Sequence, residues 1–340
     1  MTPLIAITVG DIDGIGPEVA LKSVRRYRGK ATTFLVGPSD VFLYYARCCH
    51  MTFRFDVSDG KGDIRAFVRN SWKLRRIPIV EREHAGSTAT INPGIVSALS
   101  GEIAAHAITV AVDLVLNGYA DAVVTSPISK AALHLAGYHW PGQTEMIQHL
   151  SRGTRVAMML VTPKLRIGLI TIHLPLRDVA ASITPALLRE RITTIHEALR
   201  SDWRIKKPRL AILGLNPHAG ENGDLGDEEN SQIIPVLESL RVNGMHVDGP
   251  FPADSFFARD TGNMYDGVVA MYHDQGLIPL KMLAHGKGVN ISVGLPIVRT
   301  SPDHGTAFDI AGKNIADPSS MIEAIRLAEC TVKNRQRKNG

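Results

Sequence analysis

Three apolar runs in this 340-residue chain each end at a histidine. RIGLITI leads into His173-Leu174-Pro175, RLAILGLN passes Pro217 to reach His218, and GVVAMY runs into His273-Asp274-Gln275-Gly276. Runs this short and this rich in Ile, Leu and Val read as buried strands. In open α/β sheets, ligands collect outside the carboxyl ends of strands. Three imidazoles delivered there from separate strands have the donors to hold one divalent cation and still leave positions for water or substrate. Asp274 is then a further ligand, or the partner that orients the imidazole beside it. The competing reading is three ordinary histidines, as assigned to His50, His84, His106, His134, His149, His196 and His246. No HExxH-type signature fixes two ligands on one helix, so spacing alone leaves both readings open.

A second concentration of chemistry lies in PLKMLAHGKGVNISVGLPIVRTSPDHGTAFD, residues 279 to 309. Lys281, Asn290 and Arg299 offer a cation, an amide and a guanidinium fork in glycine-rich surroundings, a set suited to carboxylate or phosphate. Asp303-His304-Gly305-Thr306 and Asp309 form a further polar loop punctuated by glycine. Near the start, TVGDIDGIGPEV looks like a phosphate loop but lacks the third glycine of the dinucleotide fingerprint, and no GK[ST] occurs in the chain. It reads as a strand-to-helix turn whose exposed amides could meet a ligand.

The elements that must position these residues alternate between strand-like and helix-like runs, the pattern of an α/β protein. LIAITV precedes a glycine turn and the helical GPEVALKSVRR, with Pro17 in the first turn. Residues 101 to 117 have helical spacing and end at Gly118. SITPALLRERITTIHEALR, ENSQIIPVLESLRVNG and SSMIEAIRLAECTVKN are further helices. Gly and Pro cluster at 139–143 and 286–302, which marks these as candidate crossings between an outer domain (1–140 plus 295–340) and an inserted one (141–294).

At 44 % apolar and 21 % charged residues, the composition is that of an ordinary soluble protein. The apolar runs are short and flanked by charge, and MTPLIAITVGD lacks a signal-like pattern, so no membrane segment is expected. Three cysteines, two of them adjacent, argue for a reducing, cytoplasmic location. The net charge of +5 and the basic patches at 73–76 and 333–338 come without aromatic interleaving, so they read as solvated surface and not as a nucleic-acid site.

TVGDIDGIGPE, TSPISKAALHLAG, PGQTE, TIHLPLRD, GLNPHAGENG, GPFPAD, AMYHDQGLIPLK and GVNISVGLPIVRTSPDHGTAFDIAGK together resemble the PdxA family, the 4-hydroxythreonine-4-phosphate dehydrogenases of vitamin B6 synthesis. The similarity runs from Ile5 to about Leu327 and is weakest over 40–90 and in the tail. It implies two α/β/α domains of the isocitrate/isopropylmalate dehydrogenase type, with the active site in the interdomain cleft at a homodimer interface. It also implies NAD or NADP as cofactor without a Rossmann fingerprint. A divalent ion (zinc, magnesium, cobalt or manganese) would be held by His173, His218 and His273, contributed from both partners. Gln143, Thr144, Lys281, Asn290 and Arg299 fall on substrate-binding positions. HGTAFDIAGK is similar to the cofactor-side loop of isopropylmalate dehydrogenases, which assigns His304, Gly305, Thr306 and Asp309, with Gly294, to the cofactor. Lys281 and Asp274 are the catalytic candidates.

Two residues depart from the family pattern. Asp13 adds a carboxylate to the usual GDPAGIGPE turn, and Gln143 stands where a substrate-contacting histidine is usual. Glutamine donates a neutral hydrogen bond but cannot become cationic. The reaction implied is oxidation at C3 of 4-phosphooxy-L-threonine, giving a β-keto acid that loses carbon dioxide. Related branches oxidise D-threonate or D-erythronate 4-phosphate, or aromatic cis-dihydrodiols. A metal-dependent hydrolase would use the same histidines but gives HGTAFDIAGK no role, and a phosphoacyl transferase would leave the histidines idle.

Overall fold

The protein is described here by a computed structural model covering residues 2–82, 90–258 and 264–337. His84 and part of the basic tail therefore lie outside the described residues. The chain divides into two units, Met1–Gly153 with Leu295–Lys333, and Thr154–Gly294 with Asn334–Gly340.

In the first unit the strands are β1 (Leu4–Thr8), β2 (Thr32–Val36), β3 (Phe55–Ser58), β4 (Ile77–Val80), β5 (Ala122–Val124) and β12 (Val298–Pro302). They lie in the order β3-β4-β2-β1-β5-β12, and every neighbouring pair is parallel. Parallel sheets are covered on both faces, which is why β1, the apolar LIAI followed by Thr8, is buried at all five positions. The helices are α1 (Gly16–Arg26), α2 (Ser39–Cys48), α3 (Ile64–Lys73), α4 (Ala98–Leu116), α5 (Lys130–Leu135), α6 (Gln143–Leu150) and α12 (Ser319–Gln336). HWPGQ, one of the two segments marked as candidate crossings, lies inside this unit and leads into α6.

Two helix starts and one helix interior show how sequence sets this layer. Ser97 caps α4 by accepting from the Ser100 amide, and Asp63 caps α3 through the Ala66 amide. In α1, Lys22 donates to Glu18 at 2.6 Å and to the carbonyls of Asn314 and Ala316, so an ion pair inside the unit fastens a distant loop. α4 is long and apolar enough to cross a membrane by composition, but 61 % of its apolar window is buried in the protein, as in a core helix.

The second unit contains β6 (Ala157–Val161), β7 (Arg166–Leu169), β8 (Arg209–Leu213), β9 (His246–Phe251), β10 (Gly267–Ala270) and β11 (Val289–Val293). Their order is β11-β6-β7-β10-β8-β9. β6 is antiparallel to both neighbours, whereas β7, β10, β8 and β9 all run the same way. The helices are α7 (Leu176–Ser182), α8 (Pro185–Ser201), α9 (Ile234–Val242), α10 (Ala253–Ala258) and α11 (His273–Ala284), and a π-helical turn, Glu229–Ile233, precedes α9. The core includes Leu160, Ile167, Leu169, Leu213, Phe256 and Leu280. Each such side chain contributes about 1.5–3 kcal/mol when fully buried.

Sequence periodicity did not disclose α11, because Gly276 and Pro279 both disfavour a helix interior. Packing overrides propensity there. A Cβ on Gly276 would stand 2.8 Å from Ile167 and 3.0 Å from Leu169, so only glycine lets this helix sit so close to β7.

Candidate active site

β7, β10 and β8 are adjacent and parallel, so their carboxyl ends share one edge of the second unit's sheet. His173 follows β7, His273 opens α11 directly after β10, and His218 lies beyond β8. The rings of His173 and His273 are 5.6 Å apart, centroid to centroid. Asp274 Oδ1 lies 2.7 Å from His273 Nδ1, which leaves the Nε2 lone pair of a neutral ring for a ligand. Paired imidazoles with an orienting carboxylate suit a divalent cation. Among the described residues, no group of three or more His, Cys, Asp or Glu is close enough to hold a metal. His218 is therefore not gathered with the other two.

His218 sits in an unusual turn. Residues 218 to 222 all have positive φ, starting with His218 at 54° and including Gly220 at 79°. A left-handed run this long costs about 1–2 kcal/mol for each residue with a Cβ, and such strain persists only where surroundings enforce it. Periodicity carries no signal for it; the closest is the small and polar composition of PHAGENG.

In the first unit the candidate residues collect at the carboxyl ends of β1, β5 and β12. Arg299, the second residue of β12, is 2 % exposed. It donates to Thr125 Oγ1 from Nε at 3.1 Å and Nη2 at 2.7 Å, and from Nη2 to Gln143 Oε1 at 2.8 Å. Desolvation lowers its pKa to about 10, opposed by the Glu145 carboxylate, so it remains cationic at neutral pH. Gln143 Nε2 donates to the Ser126 carbonyl at 3.1 Å. A guanidinium only donates and a carbonyl only accepts, so the amide orientation is fixed by its partners. Thr144, next in α6, is buried. Thr125 and Ser126 were not singled out in the sequence, although both lie in its TSPIS motif.

The DHGTAFD loop follows β12. Ile15 donates to the Thr306 carbonyl at 2.9 Å, and a Cβ on Gly14 would be 3.0 Å from Thr306, so the loop rests directly on the glycine turn. His304 Nδ1 lies 3.1 Å from the Gly305 carbonyl, while its Nε2 is buried with no hydrogen-bond partner. A Cβ on Gly305 would meet nothing within 4 Å. An unpartnered ring nitrogen beside open space fits a nicotinamide cofactor. Asp309, in the short 3-10 turn that follows, is exposed.

The glycine turn itself differs from the expectation of exposed amides. The amides of Asp11, Ile12, Asp13, Gly14 and Ile15 bond respectively to Pro127 O, Ser100 Oγ, Asp11 Oδ1, Asp11 O and Thr306 O. None of these five is left for an anion, because the turn is buried against its own unit. Asp13 is also spent internally, accepting from the Asn92 amide at 2.6 Å and from Ser97 Oγ at 2.9 Å. Burial pushes the carboxyls of Asp11 and Asp13 above the ordinary range, and repulsion from Asp13 adds to this for Asp11.

Of the remaining candidates, Asn290 on β11 has a buried Oδ1 with no hydrogen-bond partner, and Lys281 on α11 is exposed. Gly294 has φ of 86°, and a Cβ there would stand 2.6 Å from the Thr194 methyl and 3.0 Å from the Arg155 carbonyl, so local conformation and packing demand glycine.

The model of the family described as pyridoxal phosphate biosynthetic protein PdxA matches residues 30–328. The chain belongs to the PdxA family. It is a PdxA-family dehydrogenase. D-threonate 4-phosphate dehydrogenase of Cupriavidus necator is 43 % identical over 338 residues, covering 95 % of this chain and 96 % of that protein. The crystal structure of 4-hydroxythreonine-4-phosphate dehydrogenase from Klebsiella pneumoniae has a TM-score of 0.83 at 37 % identity, covering 98 % of each chain. A terephthalate 1,2-cis-dihydrodiol dehydrogenase from Burkholderia xenovorans aligns with a TM-score of 0.63 at 30 % identity, covering 97 % of this chain and 98 % of that one.

Proposed function

We propose that the protein oxidises D-threonate 4-phosphate, or its erythronate epimer, at the C3 alcohol with NAD or NADP. The observation that carries the substrate reading is the bonding of Gln143. Its carbonyl is engaged by Arg299 and one N–H by Ser126, so the group it still offers is a second N–H donor. A C2 hydroxyl has lone pairs to accept that donor, whereas a C2 ammonium has none and adds positive charge beside a buried guanidinium. The full-length similarity to a D-threonate 4-phosphate dehydrogenase supports the same choice. The second reading, 4-phosphooxy-L-threonine, is favoured by the close structural match to the Klebsiella enzyme.

When bound, the nicotinamide accepts the hydride and the divalent cation supplies Lewis acidity. In this reading His173, His273 and His218 hold the cation, and Asp274 fixes the His273 tautomer. Arg299, Thr144 and Lys281 secure the carboxylate and phosphate of the substrate, and Asn290 offers its unpartnered Oδ1 to a substrate hydroxyl. Lys281 takes the hydroxyl proton. His304, Gly305, Thr306 and Asp309, with Gly294, form the cofactor side. Oxidation at C3 gives a β-keto acid, which loses carbon dioxide to leave a three-carbon ketone phosphate.

A second copy of the chain completes the proposal. Ile278, Met282 and Leu283 of α11 are 60 %, 73 % and 50 % exposed, an apolar face on the helix that opens with His273. A partner covering that face would bring further histidines to the incomplete set. Light scattering after gel filtration should report twice the chain mass.

The deciding experiment measures formation of reduced cofactor from D-threonate 4-phosphate, D-erythronate 4-phosphate and 4-phosphooxy-L-threonine, before and after chelation. Higher kcat/KM on a sugar-acid phosphate, lost on chelation, is the expected result. Preference for the amino-acid phosphate would sink the substrate reading and keep the dehydrogenase.

A further inference from the structure

The turn presenting His218 does not hold itself. Its residues occupy left-handed backbone, and its few internal bonds, such as Ala219 N to Asn216 O at 3.1 Å and Leu225 N to Gly220 O at 3.1 Å, do not offset that strain. The enforcing group comes from the π-helical turn downstream. Glu229 is 1 % exposed, and its Oε1 accepts from the amides of Leu215 at 2.7 Å and Asn216 at 2.8 Å. Its Oε2 accepts from Asn216 Nδ2 at 2.9 Å, and Glu228 Oε2 accepts from the same nitrogen at 2.7 Å. Both protons of the Asn216 amide are thus claimed by carboxylates, two residues before His218.

Glycine makes room for this arrangement at two points. A Cβ on Gly214 would stand 3.2 Å from Glu229 Oε1, and one on Gly220, inside the left-handed run, 2.7 Å from Glu229 Oε2. The carboxylate therefore lies against the backbone on both sides of the turn. The same end of β8 is tied to the neighbouring strand, because Gln275 Nε2 donates to Gly214 O at 2.7 Å while its Oε1 accepts from Met271 N at 2.7 Å. Gln275 lies two residues after His273. One hydrogen-bonded chain, Glu229 to the 214–216 backbone to Gln275 to Met271, thus connects the segments that carry His218 and His273. π-Turns are frequent at functional sites, and here the π-turn begins at the residue that reaches back.

We propose that Glu229 is a positioning residue for the metal site, holding the left-handed turn so that the His218 imidazole is presented at low entropic cost. This rests on the reading of His218 as a metal ligand. Partners of this kind, which orient a ligand without touching the ion, typically carry about 10–100-fold in metal affinity. Glu229→Gln keeps an acceptor for the two backbone amides but turns an N–H toward Asn216 Nδ2, donor against donor. Asn216→Ala removes the side-chain half of the clamp and leaves the backbone half.

The test titrates cobalt(II) into the chelated full-length protein by calorimetry, for the wild type, Glu229→Gln, Asn216→Ala and His218→Ala. In parallel, amide hydrogen exchange over residues 214–226 is followed without metal. The expected result is abolished binding in His218→Ala, and binding weakened about 10–100-fold in Glu229→Gln. Exchange over 214–226 should be faster in Glu229→Gln while protection of β8 and β10 is kept. Asn216→Ala should move both readouts the same way and serves if Glu229→Gln does not fold. Wild-type affinity in the clamp variants, with binding still lost in His218→Ala, would overturn the positioning role alone. Weakened binding with unchanged exchange would overturn it too, since Glu229 would then not act through the turn. Equal binding by wild type and His218→Ala, or none by either, would remove the metal reading and this proposal with it.

Discussion

Arg299 Nη2 donates to Gln143 Oε1 at 2.8 Å, and that bond fixes which way round the Gln143 amide stands. Gln143→His makes this contact conditional on protonation. A neutral imidazole can accept from Arg299, whereas an imidazolium cannot. In the variant, kcat/KM should fall more steeply than in the wild type as pH drops below about 6.5, because the wild type loses only metal occupancy there. The ratio of rates on the sugar-acid and amino-acid phosphates should also change by about tenfold, the upper scale of one net neutral hydrogen bond. An unchanged ratio and a pH profile that matches the wild type's would show that Gln143 does not set substrate choice.

Asp274 provides a separate handle on the histidine pair. It bonds His273 Nδ1 at 2.7 Å, and its own side chain is largely exposed. Asp274→Ala should leave the melting temperature close to that of the wild type and weaken cobalt(II) binding about 10–100-fold. Activity should then be recovered by excess metal. Loss of activity that no metal concentration restores would instead make Asp274 a participant in proton transfer.

The strand-end histidines were legible because apolar runs mark strands and α/β sheets place ligands at one edge. What the sequence could not show is the order of those strands. Only the pairing of β10 with both β7 and β8 puts the three segments side by side. Arg299 stood out as a candidate anion-binding cation but not as a strand residue. VRTSP falls in the Gly- and Pro-rich stretch 286–302 marked as a candidate crossing, yet every position of β12 is buried, and Thr125 and Gln143 accept from the guanidinium. The turn at 10–16 misled for a related reason. Its glycines look like an open nest, and only tertiary contacts reveal that the amides of residues 11 to 15 are spent.

The buried pair in α1 makes a stability prediction that differs from surface pairs. Glu18 is 0 % and Lys22 8 % exposed, and Glu18 Oε1 also accepts from the Ala316 amide. Glu18→Ala leaves a buried ammonium without its counter-ion, a change that costs about 3–5 kcal/mol. Glu197→Ala removes the exposed bridge to Arg155 and should change stability by about 1 kcal/mol or less. Denaturant unfolding of both variants checks the contrast; similar losses would contradict this account of α1.

Asp13 adds a buried carboxylate to the first glycine turn, and its effect should depend on pH. Its carboxyl is raised above the ordinary 3.8 chiefly by burial, although Asn92 and Ser97 bond to it. Between the unfolded and the raised folded pKa, the folded state binds more protons than the unfolded one. Stability therefore falls as pH rises through that window and is level above it. Asp13→Asn does not titrate, keeps an acceptor for the Asn92 amide, and offers Ser97 an N–H in place of an acceptor. The variant's stability relative to wild type should therefore increase with pH, from the acid side of the window to neutrality. Thermal melts of both proteins across that range test the sign. A difference that is constant, or that shrinks toward neutral pH, would mean that the bonds from Asn92 and Ser97 outweigh the desolvation of Asp13.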